Sequence, residues 1–210
     1  NLIELLLQRK GDVYVLVRPA SKEKLEALRN RLGDRGKRVV GVTGDLSKGW
    51  LGVSPAQRKK LEGRVFHVFH LAAIYDLSAD AASQEVANVE GTLNAIRFAE
   101  SIKAKRFHHV SSIAAAGLYA GTFREDMFEE AVGLDNPYFR TKHEAEAAVR
   151  TKCSIPWRIY RPGIVVGSSE TGEIDKIDGP YYFFKLIQKI RKAMPSWMPA
   201  IGLEGGRLNL

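Results

Sequence analysis

Five short apolar runs, separated by helical stretches, constrain the fold of this chain more than any other feature. They are rich in Val, Ile and Phe and cover residues 12–18, 37–46, 64–73, 106–112 and 157–167. Each run is nearly continuous, which is typical of parallel strands that are buried on both faces. Strands that alternate with helices indicate right-handed crossovers. The sequence therefore predicts an α/β fold with a doubly wound, Rossmann-like parallel sheet, which binds ligands at the carboxyl ends of its strands.

The stretches between these runs carry helix signals. Over residues 83–104, apolar residues recur at steps of three and four, which predicts a helix with one buried face. That face contains Val86, Val89, Leu93, Ile96 and Ala99. Asn136 and Pro137 predict the start of a later helix, with Asn as the N-cap and Pro at the first helical position. A further helix is expected over residues 21–32.

Both ends of the chain are expected to be truncated. Residues 1–7 form an amphipathic pattern with no strand before it, and the sequence has no G-x-x-G-x-x-G turn. In a dinucleotide-binding sheet such a helix follows the first strand and that turn, which binds the pyrophosphate. We expect a dinucleotide-binding domain over 1–167 that lacks its first strand. The start of a substrate-binding region is expected over 168–210.

The composition argues against several other classes of protein. No apolar run approaches the ~20 residues that span a membrane, and the single cysteine, Cys153, excludes internal disulfides and fits a cytoplasmic location. The net charge of +8 is spread without a basic block, so we expect no nucleic-acid partner, while an anionic cofactor or substrate remains open. His67 and His70 point to opposite faces of a strand, as do His108 and His109, so no metal site is expected.

A tyrosine and a lysine four residues apart form the candidate catalytic pair. Tyr138 and Lys142 lie on one face of a predicted helix. A phenol titrates near pH ~10, and a nearby ammonium lowers its pKa, so that it can give a proton to a carbonyl oxygen. Ser112, at the end of the fourth run, can hydrogen-bond the same oxygen. Tyr181 and Lys185 repeat the spacing, but only the first pair follows a strand that ends in serine.

Five motifs, in the same order, resemble the extended short-chain dehydrogenase/reductase family. They are HLAAIYD at 70–76, NVEGT at 88–92, HVSSIAAAG at 109–117, YFRTK at 138–142 and YRPGIVVG at 160–167. Within that family, the chain is most similar to the branch that contains fatty acyl-CoA reductases, thioester reductases and 3β-hydroxysteroid dehydrogenases. The glycine-rich turn of the family is the motif that this sequence lacks.

The resemblance implies a role for each matching residue. Tyr138 matches the acid/base residue, Lys142 the residue that lowers its pKa and binds the nicotinamide ribose, and Ser112 the residue that binds the substrate oxygen. Asn88 matches an asparagine that supports a water or backbone link near the lysine. Besides Tyr138 and Lys142, the implied cofactor contacts are Asp45 and Leu46 at the adenine, Ala72 and Ala73 along the cofactor, Ser111 beside Ser112, and Pro162 and Gly163 at the nicotinamide amide.

The last residue of the first run bears on the choice of cofactor. An acidic residue there would bond a ribose 2′-hydroxyl, whereas an arginine suits a 2′-phosphate. Arg18 stands at that position, with Lys22 close by. We therefore predict NADP(H) rather than NAD(H), with a solvated surface arginine as the alternative.

The expected substrate is an apolar small molecule that carries a carbonyl group. Segment 180–198 is aromatic, with Phe184, Ile187, Ile190 and Met194 on one face. Three roles are predicted as alternatives for this segment. It packs on the sheet, it forms a wall for an acyl thioester, lipid or steroid-like substrate, or it contacts a membrane surface. The predicted function is an NADP(H)-dependent oxidoreductase that uses Ser, Tyr and Lys. A nucleotide-sugar epimerase or dehydratase and a non-catalytic NAD(P)-sensing protein remain open, and so does a homodimer.

Overall fold

A computed structural model describes residues 1–71, 81–174 and 181–194 of the chain. It divides into two units, Asn1–Arg161 and Pro162–Leu210. The described strands are β1 (Val13–Val17), β2 (Val39–Thr43), β3 (His67–His70), β4 (Arg106–Val110) and β5 (Trp157–Tyr160). The described α-helices are α1 (Leu2–Leu6), α2 (Lys22–Arg31), α3 (Pro55–Leu61), α4 (Ala81–Gln84), α5 (Gly91–Ser101), α6 (Pro137–Lys152) and α7 (Tyr181–Ala193).

The described strands pair in parallel, and this confirms the predicted α/β class. β1 pairs with β2, and β4 lies between β3 and β5. In the second group, His70 lies opposite His109, and His109 lies opposite Ile159. Because the strands run the same way, their carboxyl ends meet at one edge. The residues that follow β4 and β5 are therefore neighbours.

All five described strands are shorter than the apolar runs that predicted them, and β5 and β3 show why. β5 ends at Tyr160, so the rest of the run at 157–167 is the exit from the strand, where Pro162 has no N–H to donate to a ladder. β3 covers four residues of the run at 64–73, whose last two residues lie outside the described part of the chain. The apolar composition of a run therefore locates a strand better than it locates the strand's ends.

Two apolar clusters hold the helices of the first unit against its strands. In the larger cluster, Phe107 of β4 packs among side chains of α5 and α6, such as Ile96, Ala99 and Val149, which are fully or almost fully buried. In the smaller cluster, Leu7 and Val39 pack with residues of α2. Burial on this scale stabilises each large apolar side chain by about 1.5–3 kcal/mol. The strands are thereby fixed relative to α5 and α6, which carry the candidate site.

The long helix predicted before β4 contains a π-helical segment, Glu85–Glu90, between α4 and α5. A π turn holds more residues than an α turn, so it rotates the preceding face relative to the following one. Ile96 and Ala99 are buried as predicted, but Val86 is 39% exposed and Asn88 is buried instead. The predicted placement of Val86 on the buried face is wrong for this reason.

The second unit contains the helix predicted near residue 180, which is α7. Its apolar side chains, such as Phe183, Phe184, Ile187 and Ile190, are exposed. Within the described ranges, no helix is long and apolar enough to cross a membrane. The three roles proposed for this segment remain predictions.

Candidate active site

Helix α6 begins as predicted. The side chain of Asn136 caps it, because its Oδ1 accepts a hydrogen bond from the backbone N–H of Tyr138 at 2.9 Å, and Pro137 occupies the first turn. This cap places Tyr138 in the first turn and Lys142 one turn later, on the same face. Their side chains are 7% and 4% exposed. A phenol and an ammonium are thus buried one helical turn apart.

Two hydrogen bonds join α6 to the end of β4. The ammonium of Lys142 donates to the carbonyl of Val110 at 3.1 Å. The next residue, His143, lies with Nδ1 3.0 Å from the carbonyl of Ala115. Ser112 stands between these two anchor points, half-buried, and its Oγ accepts from the N–H of Ala114 at 3.1 Å. The structure therefore brings the segment of Ser112 against the turn of α6 that carries Lys142.

A glycine permits this close packing after Ser112. Gly117 has a φ of +63°, and a Cβ atom there would lie 2.0 Å from the carbonyl oxygen of Val132. The same oxygen accepts a hydrogen bond from Leu118 at 2.7 Å. Because any side chain would collide with that backbone, the last residue of the HVSSIAAAG motif is a steric requirement.

Burial changes the protonation of the groups around Lys142. Desolvation lowers the pKa of Lys142 to about 8, although the Glu146 carboxylate opposes this shift. Desolvation, with Lys142 as a further cause, lowers the pKa of His70 to about 4, and desolvation, His70 and Lys142 lower that of His109 to about 2. Near neutral pH the two histidines are therefore neutral, and Lys142 carries the local positive charge.

We expect the stability of the chain to depend on pH through Lys142. Its pKa is lower in the folded protein than the ordinary 10.5, so folding is penalised while the lysine is charged, and the penalty is relieved between pH 8 and 10.5. Across that range, the unfolding free energy of the natural chain should rise by roughly 2–3 kcal/mol relative to Lys142→Met. Urea unfolding of both proteins at several pH values measures this change.

Lys152 provides the matched control, because it lies exposed at the end of the same helix. The unfolding free energy of the Lys152→Met variant should change with pH as that of the natural chain does, across the same pH range. An equal pH dependence for the Lys142 and Lys152 variants would contradict the assignment.

Asn88 reaches α6 through Thr141, which lies within the YFRTK motif but has no role assigned to it there. Its Nδ2 donates to Oγ1 of Thr141 at 3.0 Å, and both side chains are buried. Its backbone oxygen accepts from Oγ1 of Thr92 at 2.6 Å. Thr141 immediately precedes Lys142, and nothing in the sequence distinguishes it from a surface threonine. The π-helical segment turns Asn88 towards α6.

A buried carboxylate is the second feature that sequence reasoning missed. Glu146 is fully buried on α6 and accepts hydrogen bonds from the guanidiniums of Arg150 and Arg161. Arg161, which follows β5, also donates to the carbonyl of Met127 at 2.8 Å. The carboxylate thus joins α6 to the end of β5. Its spacing of four residues from Lys142 is the one signal that the sequence offers.

The residues predicted at the adenosine end of a cofactor follow β1 and β2. Arg18 is exposed after β1. The pKa of Asp45 is lowered mainly by hydrogen bonds from the backbone and side chain of Ser47, and further by the charges of Lys48 and Arg18. Arg18 and Asp45 are therefore close enough to interact at the same edge. The hydrogen bonds from Ser47, at 2.9 and 2.8 Å, show that Asp45 also shapes its own turn.

The NVEGT motif packs against the turn that follows β2. A Cβ atom on Gly91 would lie 2.8 Å from the side chain of Leu46, so any larger residue there would force Leu46 to shift. Asn94 donates to the carbonyl of Leu46 at 3.0 Å. Leu46 is thereby fixed at the start of α5.

The other residues predicted to contact the cofactor lie in different parts of the chain. Ser111 is buried, and its N–H donates to the carbonyl of Tyr160 at 2.8 Å. Pro162 and Gly163 belong to the second unit. Ala72 and Ala73 lie outside the described residues. In the part of the chain that the structure describes, no group of His, Cys, Asp and Glu side chains could hold a metal ion.

Comparisons with known proteins identify the family of the chain. The family model described as male sterility protein matches residues 1–204. A linear gramicidin synthase from Brevibacillus parabrevis is 34% identical over 192 residues, which are 84% of this chain and 4% of that protein. The large subunit of L-2-aminoadipate reductase from Penicillium chrysogenum is 31% identical over 206 residues, which are 85% of this chain and 15% of that protein.

A solved structure extends the likeness to three dimensions. The terminal R domain from the myxalamid PKS-NRPS biosynthetic pathway superposes with a TM-score of 0.68 and 29% identity, over 80% of this chain and 46% of that chain. The chain therefore spans about half of this solved relative and a smaller part of the curated ones.

Proposed function

Since the chain belongs to the male sterility protein family, within the extended short-chain dehydrogenases/reductases, we propose that it carries the proton-transfer site of an NADP(H)-dependent reductase. One observation carries the proposal. Tyr138 and Lys142 are buried one turn apart on α6, and Lys142 is anchored to the end of β4, two residues before Ser112. Buried ionisable groups at the carboxyl edge of a parallel sheet are characteristic of functional sites. The proposed substrate is an acyl thioester.

The residues at this edge fit a nicotinamide dinucleotide. Ser111 Oγ is buried and has no hydrogen-bond partner among the described residues, so it suits a polar group of a ligand. The Lys142 ammonium has three N–H donors and gives one to Val110, so it can also bind ribose hydroxyls. Arg18 and Lys22 would bind a 2′-phosphate, and Lys22 lines a cavity with Thr43 beside β2. When bound, the reduced nicotinamide supplies a hydride.

The hydrogen bond that Ser112 accepts determines what its hydroxyl can do. Because Oγ already accepts from Ala114, its own proton is directed elsewhere and can be donated to a substrate carbonyl oxygen. Tyr138 then donates its phenolic proton to that oxygen as the carbonyl carbon accepts the hydride. The Lys142 ammonium stabilises the resulting phenolate. Ser112 thus holds the oxygen, and Tyr138 protonates it.

For a thioester, one hydride and one proton give a hemithioacetal. Its collapse breaks the C–S bond, releases the thiol with a proton and leaves an aldehyde. The thioester is favoured because L-2-aminoadipate reductase and an R domain of a biosynthetic assembly are among the relatives.

We expect Arg18 to determine the preference for NADP(H). Replacing it by Ala removes the guanidinium that would bind the 2′-phosphate, so the preference for NADPH over NADH should fall by roughly 10-fold or more. Dissociation constants for both nucleotides, measured by calorimetry on the full-length protein, report this change. The matched control is Arg64→Ala, since Arg64 is exposed before β3 at the opposite edge of the strands. An unchanged ratio in Arg18→Ala would contradict the assignment.

A further inference from the structure

Four hydrogen bonds link β3 to the catalytic turn of α6. His70 Nε2 lies 3.0 Å from Thr92 Oγ1, and Thr92 Oγ1 donates to the backbone oxygen of Asn88 at 2.6 Å. Asn88 Nδ2 donates to Thr141 Oγ1 at 3.0 Å, and Thr141 Oγ1 donates to the backbone oxygen of Tyr138 at 3.3 Å. All five residues are at least nine-tenths buried. Together they form one path from the sheet to the residue that carries the phenol.

The protons of the two threonines give this path a direction. A hydroxyl has one proton, and Thr92 gives its proton to Asn88, so it can only accept from His70. His70 must therefore carry its proton on Nε2. Thr141 likewise gives its proton to Tyr138 and accepts from Asn88. Since burial lowers the pKa of His70 to about 4, the ring stays neutral near neutral pH and keeps this tautomer.

Asn88 is the point where the path crosses between helices. It lies in the π-helical segment, where the backbone departs from the α pattern, and Thr92 bonds its carbonyl from the following turn. Its amide crosses to α6 at Thr141. A buried amide that loses its acceptor is costly, so the Thr141 hydroxyl holds the two helices in one register.

We propose that Thr141 is a positioning residue for the reductase reaction. Its hydroxyl fixes the first turn of α6 relative to the π-helical segment, and this turn carries the Tyr138 phenol and leads into Lys142. The residue acts through the backbone of Tyr138. The inference rests on the proposed function for its kinetic consequence, whereas its structural consequence can be measured without any reaction.

The kinetic test compares Thr141→Val, which keeps the shape and removes the hydroxyl, with Thr141→Ser, which keeps the hydroxyl. In the full-length protein, Thr141→Val should lower kcat by roughly 10- to 100-fold, because a small misplacement of the acid is that costly. The KM for NADPH should stay within about two-fold, because binding is not the affected step. Thr141→Ser should recover kcat to within about three-fold of the natural protein.

Thr151 offers a matched control on the same helix. Its Oγ1 donates to the carbonyl of Ala147 at 2.8 Å, as Thr141 donates to that of Tyr138, but Thr151 is exposed and bonds no other helix among the described residues. Thr151→Val should therefore match the natural protein. A natural kcat in Thr141→Val, or a folded Thr141→Ser as slow as Thr141→Val, would overturn the proposal.

Hydrogen exchange gives a readout that does not depend on activity. Amide exchange at 138–143 should be faster in Thr141→Val than in the natural protein, and unchanged in Thr151→Val. In addition, ¹⁵N spectra of the natural protein should show His70 neutral with its proton on Nε2. Unchanged exchange in Thr141→Val, or a proton on Nδ1, would overturn the proposal. If these results hold while the natural protein reduces no carbonyl, the proposed function fails and the positioning network stands.

Discussion

Replacing Tyr138 by Phe is expected to abolish carbonyl reduction and to leave cofactor binding intact. The change removes the phenolic proton and keeps the ring, which is 7% exposed among the residues of α6 and its neighbours. Loss of a general acid lowers kcat by roughly 10²- to 10⁴-fold. Because Lys142 remains anchored to Val110, the affinity for NADPH should stay within about two-fold. Steady-state kinetics and calorimetry on the full-length protein measure the two effects separately.

The chain contains its own control for this experiment. Tyr181 and Lys185 have the same spacing, but the Tyr181 hydroxyl accepts a hydrogen bond from the backbone of Gly167 at 2.8 Å within the second unit. Tyr181→Phe should lower kcat by less than about five-fold. A Tyr138→Phe protein that keeps the natural kcat would refute the assignment, and a large loss in Tyr181→Phe instead would move it to the second pair.

Replacing Glu146 by Gln should destabilise the chain more than any other single change on α6. The carboxylate is fully buried and accepts three hydrogen bonds, one from Arg150 and two from Arg161, and a second nitrogen of Arg150 lies 2.9 Å from it. A neutral amide leaves the largely buried Arg161 guanidinium without its counter-charge. In addition, the NH₂ group of the glutamine would face the N–H groups of the arginines, which it cannot accept. Breaking a buried ion pair in this way costs about 3–5 kcal/mol. Urea unfolding at neutral pH measures the loss.

The matched control is Glu144→Gln, two residues earlier on the same helix. Glu144 is 40% exposed and lies 3.7 Å from Arg140, so its loss should cost less than about 1 kcal/mol. Equal effects of the two substitutions would contradict the role given to Glu146.

The effect of Glu146 should also depend on pH. Burial raises its pKa, but the hydrogen bonds and charges of Arg161 and Arg150 outweigh burial and lower the pKa below 4.5. The stabilisation is therefore present above pH 4.5 and is lost as the pH falls through the lower value. The difference in unfolding free energy between the natural chain and Glu146→Gln should therefore become smaller as the pH falls below 4.5.

The sequence predicts the parallel sheet because each strand is a continuous apolar run. It also predicts the start of α6, because Asn136 and Pro137 act through local geometry that any helix start shares. The π-helical segment is different, because no pattern in residues 85–90 indicates that its turn holds an extra residue. For that reason Val86 was predicted on the wrong face.

The candidate site divides in the same way. Ser112, Tyr138 and Lys142 stand in recognisable motifs, and the structure brings the elements that carry them together at the end of β4. Glu146 lies outside the motifs, and Thr141 lies within one that assigns it no role. The roles of both depend on contacts with residues far along the chain, Arg161 and Asn88. The periodicity of one helix indicates which of its faces is buried, but it does not identify the polar residue on another element that will bond to that face.

Hydride transfer to a thioester tests the central claim most directly. The full-length protein would be given NADPH deuterated at C4 of the nicotinamide and an octanoyl thioester of pantetheine, and the products would be analysed by mass spectrometry. The account predicts deuterium at the former carbonyl carbon of the aldehyde, release of the free thiol, and neither product with Tyr138→Phe. Thiol release with no deuterium in the acyl product, or equal labelling by Tyr138→Phe, would contradict it.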